Sequence, residues 1–122
     1  MEDLTLFEAE YKMMDLIWDN EPVKSGELVK LCDSEYSWKK STTYTVLHKL
    51  IDKGVAANND SIVTSVIPRD KIQEIESEQM VSRSFKGSLP AFVNAFLSNG
   101  HITRSEADEL IELIETHIKD NE

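Results

Sequence analysis

Between Trp38 and Lys53, four lysines (Lys39, Lys40, Lys49 and Lys53) face a single acid, Asp52, for a local charge of +3. In the whole chain 13 Lys and Arg are outnumbered by 23 Asp and Glu. Interleaved with these lysines are Ser41, Thr42, Tyr44, Thr45 and His48. That mixture suits a double-helical nucleic acid: ammonium groups hold phosphates, while hydroxyls and an imidazole bond to base edges, and a threonine methyl can meet a thymine methyl. At 100° per residue, Thr43, Val46, Leu47 and Leu50 share one face of a helix, with Ile51 at its flank. Ser41, Thr45, His48 and Asp52 fall opposite, flanked by Thr42, Lys49 and Tyr44. Such a helix can be buried on one side while the other reads a groove. The expected base contacts are Ser41, Thr42, Thr45 and His48 with Tyr44 beside them, and the expected phosphate contacts are Lys39, Lys40 and Lys49.

Other chemistries find less support. No Gly-rich phosphate loop, nucleophile motif or metal-ligand spacing is present, so neither catalysis nor a metal or other cofactor is expected. His101 and His117 flank an acidic run of Glu106, Asp108, Glu109, Glu112 and Glu115, which reads as a solvated face before a metal site. Cys32 lies on an inward stripe and reads as a small buried hydrophobe in preference to a redox sensor. Trp18 and Trp38 lie off the outward face of the basic helix and read as packing residues.

The elements that must position the basic helix follow from periodicity. Thr5 to Glu8 has capping-box spacing, and Phe7, Tyr11, Met14, Ile17 and Trp18 then recur at helical intervals, predicting a helix from about Leu6 to Asp19. Ser25 can cap a second helix of barely two turns bearing Leu28, Leu31 and Cys32. The basic helix comes third and stops at Lys53-Gly54. Val55 to Asn58 and Ser61 to Ile67 are β-prone runs around a turn at Asn59-Asp60, predicting a small hairpin. Three helices and a hairpin in this order are a winged helix-turn-helix, whose third helix enters the major groove. The wing has no Lys or Arg, so Asn58 and Asn59 are its candidate phosphate contacts.

Beyond Pro68 the pattern is helical throughout. Arg69 to about Lys86 is polar with sparse anchors. Leu89, Phe92, Val93, Phe96 and Leu97 make a compact apolar helix. Thr103 to Glu106 is a capping box opening a last helix with Ala107, Leu110, Ile111, Ile114 and Ile118 on one side. These two helices carry more apolar surface than one hairpin can cover, and a second copy of the chain is the simplest partner. The expected fold is thus mainly α: residues 1–70 a winged-helix DNA-binding domain, residues 71–122 a helical dimerisation domain. No apolar run is long enough for a membrane span and the start of the chain is acidic, so a cytoplasmic protein is expected. The formal charge of −10 speaks against diffuse polyanion binding and leaves open a winged-helix module that docks proteins instead.

Trp18, the stretch Trp38 to Gly54 with Thr42, Thr45, Leu47 and Leu50 at their spacing, and the apolar C-terminal helix pair resemble the penicillinase-repressor and methicillin-resistance-repressor family, which includes copper-responsive members. The resemblance runs from about Thr5 to His117. It implies a homodimeric winged-helix repressor on a palindromic operator of antibiotic-resistance or transport genes. It also implies release through a membrane sensor that triggers proteolysis, or through metal in the copper branch. Copper-branch members end in paired cysteines, and no cysteine follows Cys32 here. The β-lactam-responsive members are cut at an Asn-Phe bond in the apolar helix. Aligned on the last helix, that place is taken by Ala95-Phe96, with Asn94 one residue early.

Overall fold

The computed structural model describes residues 4–122 and divides them into two compact units, the first ending at Gln79 and the second running from Met80 to Glu122. Its described elements are helices α1 (Glu8–Asn20), α2 (Ser25–Tyr36), α3 (Lys40–Asp52), α4 (Arg69–Phe85), α5 (Leu89–Leu97) and α6 (Arg104–Asp120), and strands β1 (Val23–Lys24), β2 (Ala56–Asn59) and β3 (Ile62–Ser65). The strands form one antiparallel sheet in the order β1-β3-β2. This is the mainly helical winged helix-turn-helix that the pattern predicts.

In the first unit the apolar stripes of α1, α2 and α3 converge. Met13, Met14 and Ile17 of α1, Leu28 and Cys32 of α2, and Leu47 and Leu50 of α3 are buried together with Val55 and Val63. Ile72 on α4 is wholly buried in the same core, which is why the unit extends beyond residue 70 into the fourth helix. Trp18 packs against this core, its indole N–H donating to the Ile67 carbonyl at 3.0 Å. Trp38 packs there too, beside Tyr36, whose hydroxyl donates to the Lys12 carbonyl. Those two aromatic residues explain why α2 reaches Tyr36 and is a turn longer than its short apolar stripe suggests.

Three local features differ from the expected ones. Helix α1 starts two residues later than the expected box: Phe7 is the N-cap and offers no side-chain hydrogen bond, and the Glu10 carboxylate alone accepts the Phe7 N–H at 2.8 Å. Ser25 is the first residue of α2 and not its cap; it is buried, and its N–H donates to the Ser61 carbonyl at 2.8 Å. The hairpin turn is Asp60-Ser61, one residue beyond the Asn-Asp signal. Both residues are left-handed, at φ 52° and 68°, and Asn59 pairs with Ile62, as a two-residue type I′ connection requires. Strand β1 has no visible signal of its own, because two residues carry no period; Val23 pairs with Val63 and is buried.

The second unit has no buried residue. Its helices are nonetheless well bounded: Ser88 caps α5 by accepting the Ala91 N–H, and Thr103 and Glu106 form the predicted reciprocal box on α6. Phe85 and Phe92 meet edge to face at 5.4 Å.

Candidate nucleic-acid interface

The third helix is fixed at both ends by backbone chemistry. At its C-terminus Gly54 is left-handed at φ 78°, its N–H donates to Ile51 and that of Val55 donates to Leu50, the Schellman pattern. Val55 and Leu50 are both buried, so the helix end and the start of the wing share one apolar contact. At the N-terminus Lys39 is the cap residue and supplies no side-chain hydrogen bond. The first amides of α3 are therefore left for an outside acceptor, where the helix dipole favours an anion.

The side chains sort as the helical wheel requires. Thr43, Val46, Leu47 and Leu50 are buried, whereas Ser41, Thr42, Thr45, His48, Lys39, Lys40 and Lys49 are exposed. Tyr44 is half-buried and packs against the core, so among the five candidates for base contact it has the least free surface. The Thr45 hydroxyl donates back to the Ser41 carbonyl at 2.9 Å, which leaves the oxygen of this exposed side chain as an acceptor. Thr43 makes the same bond to Lys39 inside the fold. Asp52, exposed on the outward face at the far end of α3, puts a negative charge there, so an anion would be favoured at the N-terminal half of the helix.

On the wing, Asn58 and Asn59 are exposed, and the turn itself presents Asp60. The wing thus offers amides and no positive charge. Lys53, counted in the basic segment, behaves differently from the other lysines: its ammonium lies 2.7 Å from the buried Glu10 carboxylate and its charge is spent inside the fold. Nothing in the local sequence pattern around Glu10 marks it as buried. Cys32 is buried, and burial pushes its thiol up from its ordinary value while a hydrogen bond with Thr43 opposes this. It is a packing residue.

In the second unit the expected apolar residues are at the surface. Leu89, Val93, Phe96 and Leu97 of α5 and Leu110, Ile111, Ile114 and Ile118 of α6 are exposed; Phe92 and Ala107 are partly covered. Leu113 and Ile102 join them, which the narrow helical stripe did not include. Leu113 widens the α6 stripe to roughly 160°, more than the seam of a simple coiled coil. Phe92, Val93, Phe96, Leu97, Ile102 and Leu110 line an open hollow of about 230 Å³, and no polar atom contributes to its walls. Asn94 and Ala95 lie exposed on α5 beside Phe96.

Residues 6–116 match the family model of the penicillinase repressor. The chain belongs to the penicillinase-repressor family. Members are DNA-binding transcriptional repressors and not enzymes. The penicillinase repressor of Bacillus licheniformis is 27% identical over 114 residues, spanning 90% of this chain and 89% of that protein. The solution structure of the DNA-binding domain of the repressor BlaI aligns with a TM-score of 0.52 at 24% identity, covering 57% of this chain and 90% of that one. At that identity the likeness is one of fold. No described helix is long and apolar enough to cross a membrane.

Proposed function

We propose that this repressor binds a palindromic operator as a homodimer, through α3 of each copy laid in the major groove. The observation that carries the reading is the outward face of α3: hydroxyls of Ser41, Thr42 and Thr45 and the His48 imidazole stand exposed, beside an uncapped helix N-terminus and free Lys39 and Lys40. Ser41, Thr42, Thr45 and His48 contact base edges, with Tyr44 at their margin. Lys39, Lys40 and Lys49 hold phosphates, and Asn58 and Asn59 add uncharged wing contacts. Thr45 reads a base donor or a thymine methyl, since its own proton is already committed to Ser41.

Residues 1 to about 70, together with the start of α4 that buries Ile72, form the DNA-binding part, and the rest forms the dimerisation part. The exposed apolar faces of α5 and α6 meet their equals in a second copy, which an isologous two-fold interface permits. The two α3 helices then stand one helical turn of DNA apart, roughly 34 to 36 Å, or a multiple of it. The regulated genes on this reading are of the antibiotic-resistance or transport type, and a membrane sensor that triggers proteolysis is the partner that lifts repression. Asn94, Ala95 and Phe96 are the segment for such a cut, which would sever the apolar face of α5.

Selection of bound duplexes from a randomised pool at near-physiological salt, followed by sequencing, tests the proposal. An enriched palindrome is expected, with half-site spacing matching two α3 helices. A folded, dimeric protein that enriches nothing would turn the reading toward a winged-helix module that docks proteins.

A further inference from the structure

Lys53 closes α3, and its ammonium is gathered into a half-buried polar cluster. It lies 2.7 Å from Glu10 Oε1, donates to the Thr5 carbonyl at 2.8 Å and sits 4.7 Å from the centroid of the Phe7 ring. Glu10 Oε1 also accepts the Phe7 N–H. The Thr5 hydroxyl donates to Gln79 Oε1 on α4 at 2.7 Å. One continuous set of polar contacts therefore runs from α4 through Thr5 to the end of α3 and the start of α1.

Glu10 is 2% exposed, and its second oxygen, Oε2, is buried without a hydrogen-bond partner. Stability is a poor reason to keep such a group, since desolvating a carboxylate offsets most of what the pairing returns and an apolar pair of similar volume serves as well. What an ion pair supplies and an apolar pair does not is a fixed distance and direction between two elements. Here the two elements are the helix that reads DNA and the helix it packs on.

We infer that Lys53 is a positioning residue for operator binding, anchored by Glu10 and extended to α4 by Thr5 and Gln79. The inference rests on the reading of α3 as the groove helix. The pair sets the pitch of α3 against α1, so that Ser41, Thr42 and Thr45 meet base edges together. Lys53 contacts no phosphate, its charge being matched by Glu10. Glu10, almost without exposed surface, acts on DNA through Lys53.

The test uses the full chain and a duplex carrying the selected site, with affinity followed against salt concentration. Lys49→Ala serves as the phosphate-contact control and should reduce the salt slope by about one. Lys53→Met should weaken binding between about twofold and thirtyfold, the range for coupled but non-contacting positions, with the slope unchanged. Lys53→Arg should restore most of the loss. Glu10→Gln in the Lys53→Met background should add little further loss, because the two residues act as a unit. A slope reduced by about one in Lys53→Met would make it a phosphate contact and overturn the inference. Unchanged affinity, or losses from Glu10 and Lys53 that simply add, would overturn it equally. Should Lys53→Met fail to fold, Gln79→Ala carries the test from the half-exposed end of the relay: weaker binding at unchanged slope supports it, unchanged binding refutes it. Wild-type protein that shows no salt-dependent binding to any duplex removes the DNA reading itself, a different result from either.

Discussion

Ile111→Asp places a carboxylate in the middle of the α6 apolar face and should convert a dimer into a monomer. Ten large apolar residues of the second unit, from Leu89 to Ile118, are between 37% and 61% exposed. Fully burying a Leu, Ile or Phe side chain is worth about 1.5 to 3 kcal/mol, so half-exposed ones retain about 1 kcal/mol each to gain. Two copies then offer about 20 kcal/mol as an upper bound, against an association penalty of about 4 to 15 kcal/mol. The remainder spans dissociation constants from the sub-millimolar to the picomolar, and its midpoint lies in the nanomolar range. The substitution removes about 1 kcal/mol per copy. It also desolvates a carboxylate in each, at several kcal/mol per ion unless the interface opens. A weakening of at least about a thousandfold follows. Sedimentation velocity at micromolar loading should show wild type as a dimer and Ile111→Asp as a monomer with unchanged helix content. A variant that still sediments as a dimer would place the seam elsewhere, and a monomeric wild type would refute the two-copy reading outright.

Three further outcomes are expected. Lys40→Ala should weaken binding to every duplex alike and reduce the salt slope by about one; altered preference at one base pair would assign Lys40 to base reading instead. His48→Ala should weaken binding to the selected operator more than binding to random duplex, measured by the same titration, and an equal loss on both would exclude His48 from base reading. The Cys32 thiol, pushed up by burial, binds its proton more tightly in the folded than in the unfolded chain. Its stabilising contribution is therefore complete below the ordinary thiol value near 9.0 and falls as pH rises beyond it, so thermal melts between pH 8 and 10.5 should decline less steeply for Cys32→Ala than for wild type.

The parts of this fold that the sequence displayed are those whose signal is periodic or local. The faces of α3 could be read because Thr43, Val46, Leu47 and Leu50 repeat at helical spacing, and the α6 start because Thr103 and Glu106 stand at box spacing. What was hidden depends on partners distant in the chain. β1 is two residues whose only reason to be a strand is Val63 opposite Val23, 40 positions on. Lys53 reads as a basic end to a basic helix until Glu10, 43 positions earlier, is found against it. Tyr44 falls at the edge of the outward face on an ideal wheel, but neighbouring elements draw its ring toward the core. The turn residue moved from Asn59 to Asp60 because hairpin register, set by Ala56 opposite Ser65, decides which two residues are left over.

The charge distribution shapes how such a repressor would discriminate. At −10 per chain, the molecule as a whole is repelled by a polyanion. Near 0.15 M salt that repulsion is screened over about 8 Å, so at contact the local field of Lys39, Lys40 and Lys49 governs and at longer range the acidic body does. Random duplex, which offers phosphates but no matched base edges, gains little from three lysines and a wing without Lys or Arg. On the proposed two-fold reading, an operator adds the hydroxyl and imidazole contacts of two α3 helices at once. On that reading much of the affinity would come from base reading and from the simultaneous engagement of both half-sites, so the geometry of α3 and the integrity of the proposed dimer would matter more than in a protein held to DNA by a basic wing.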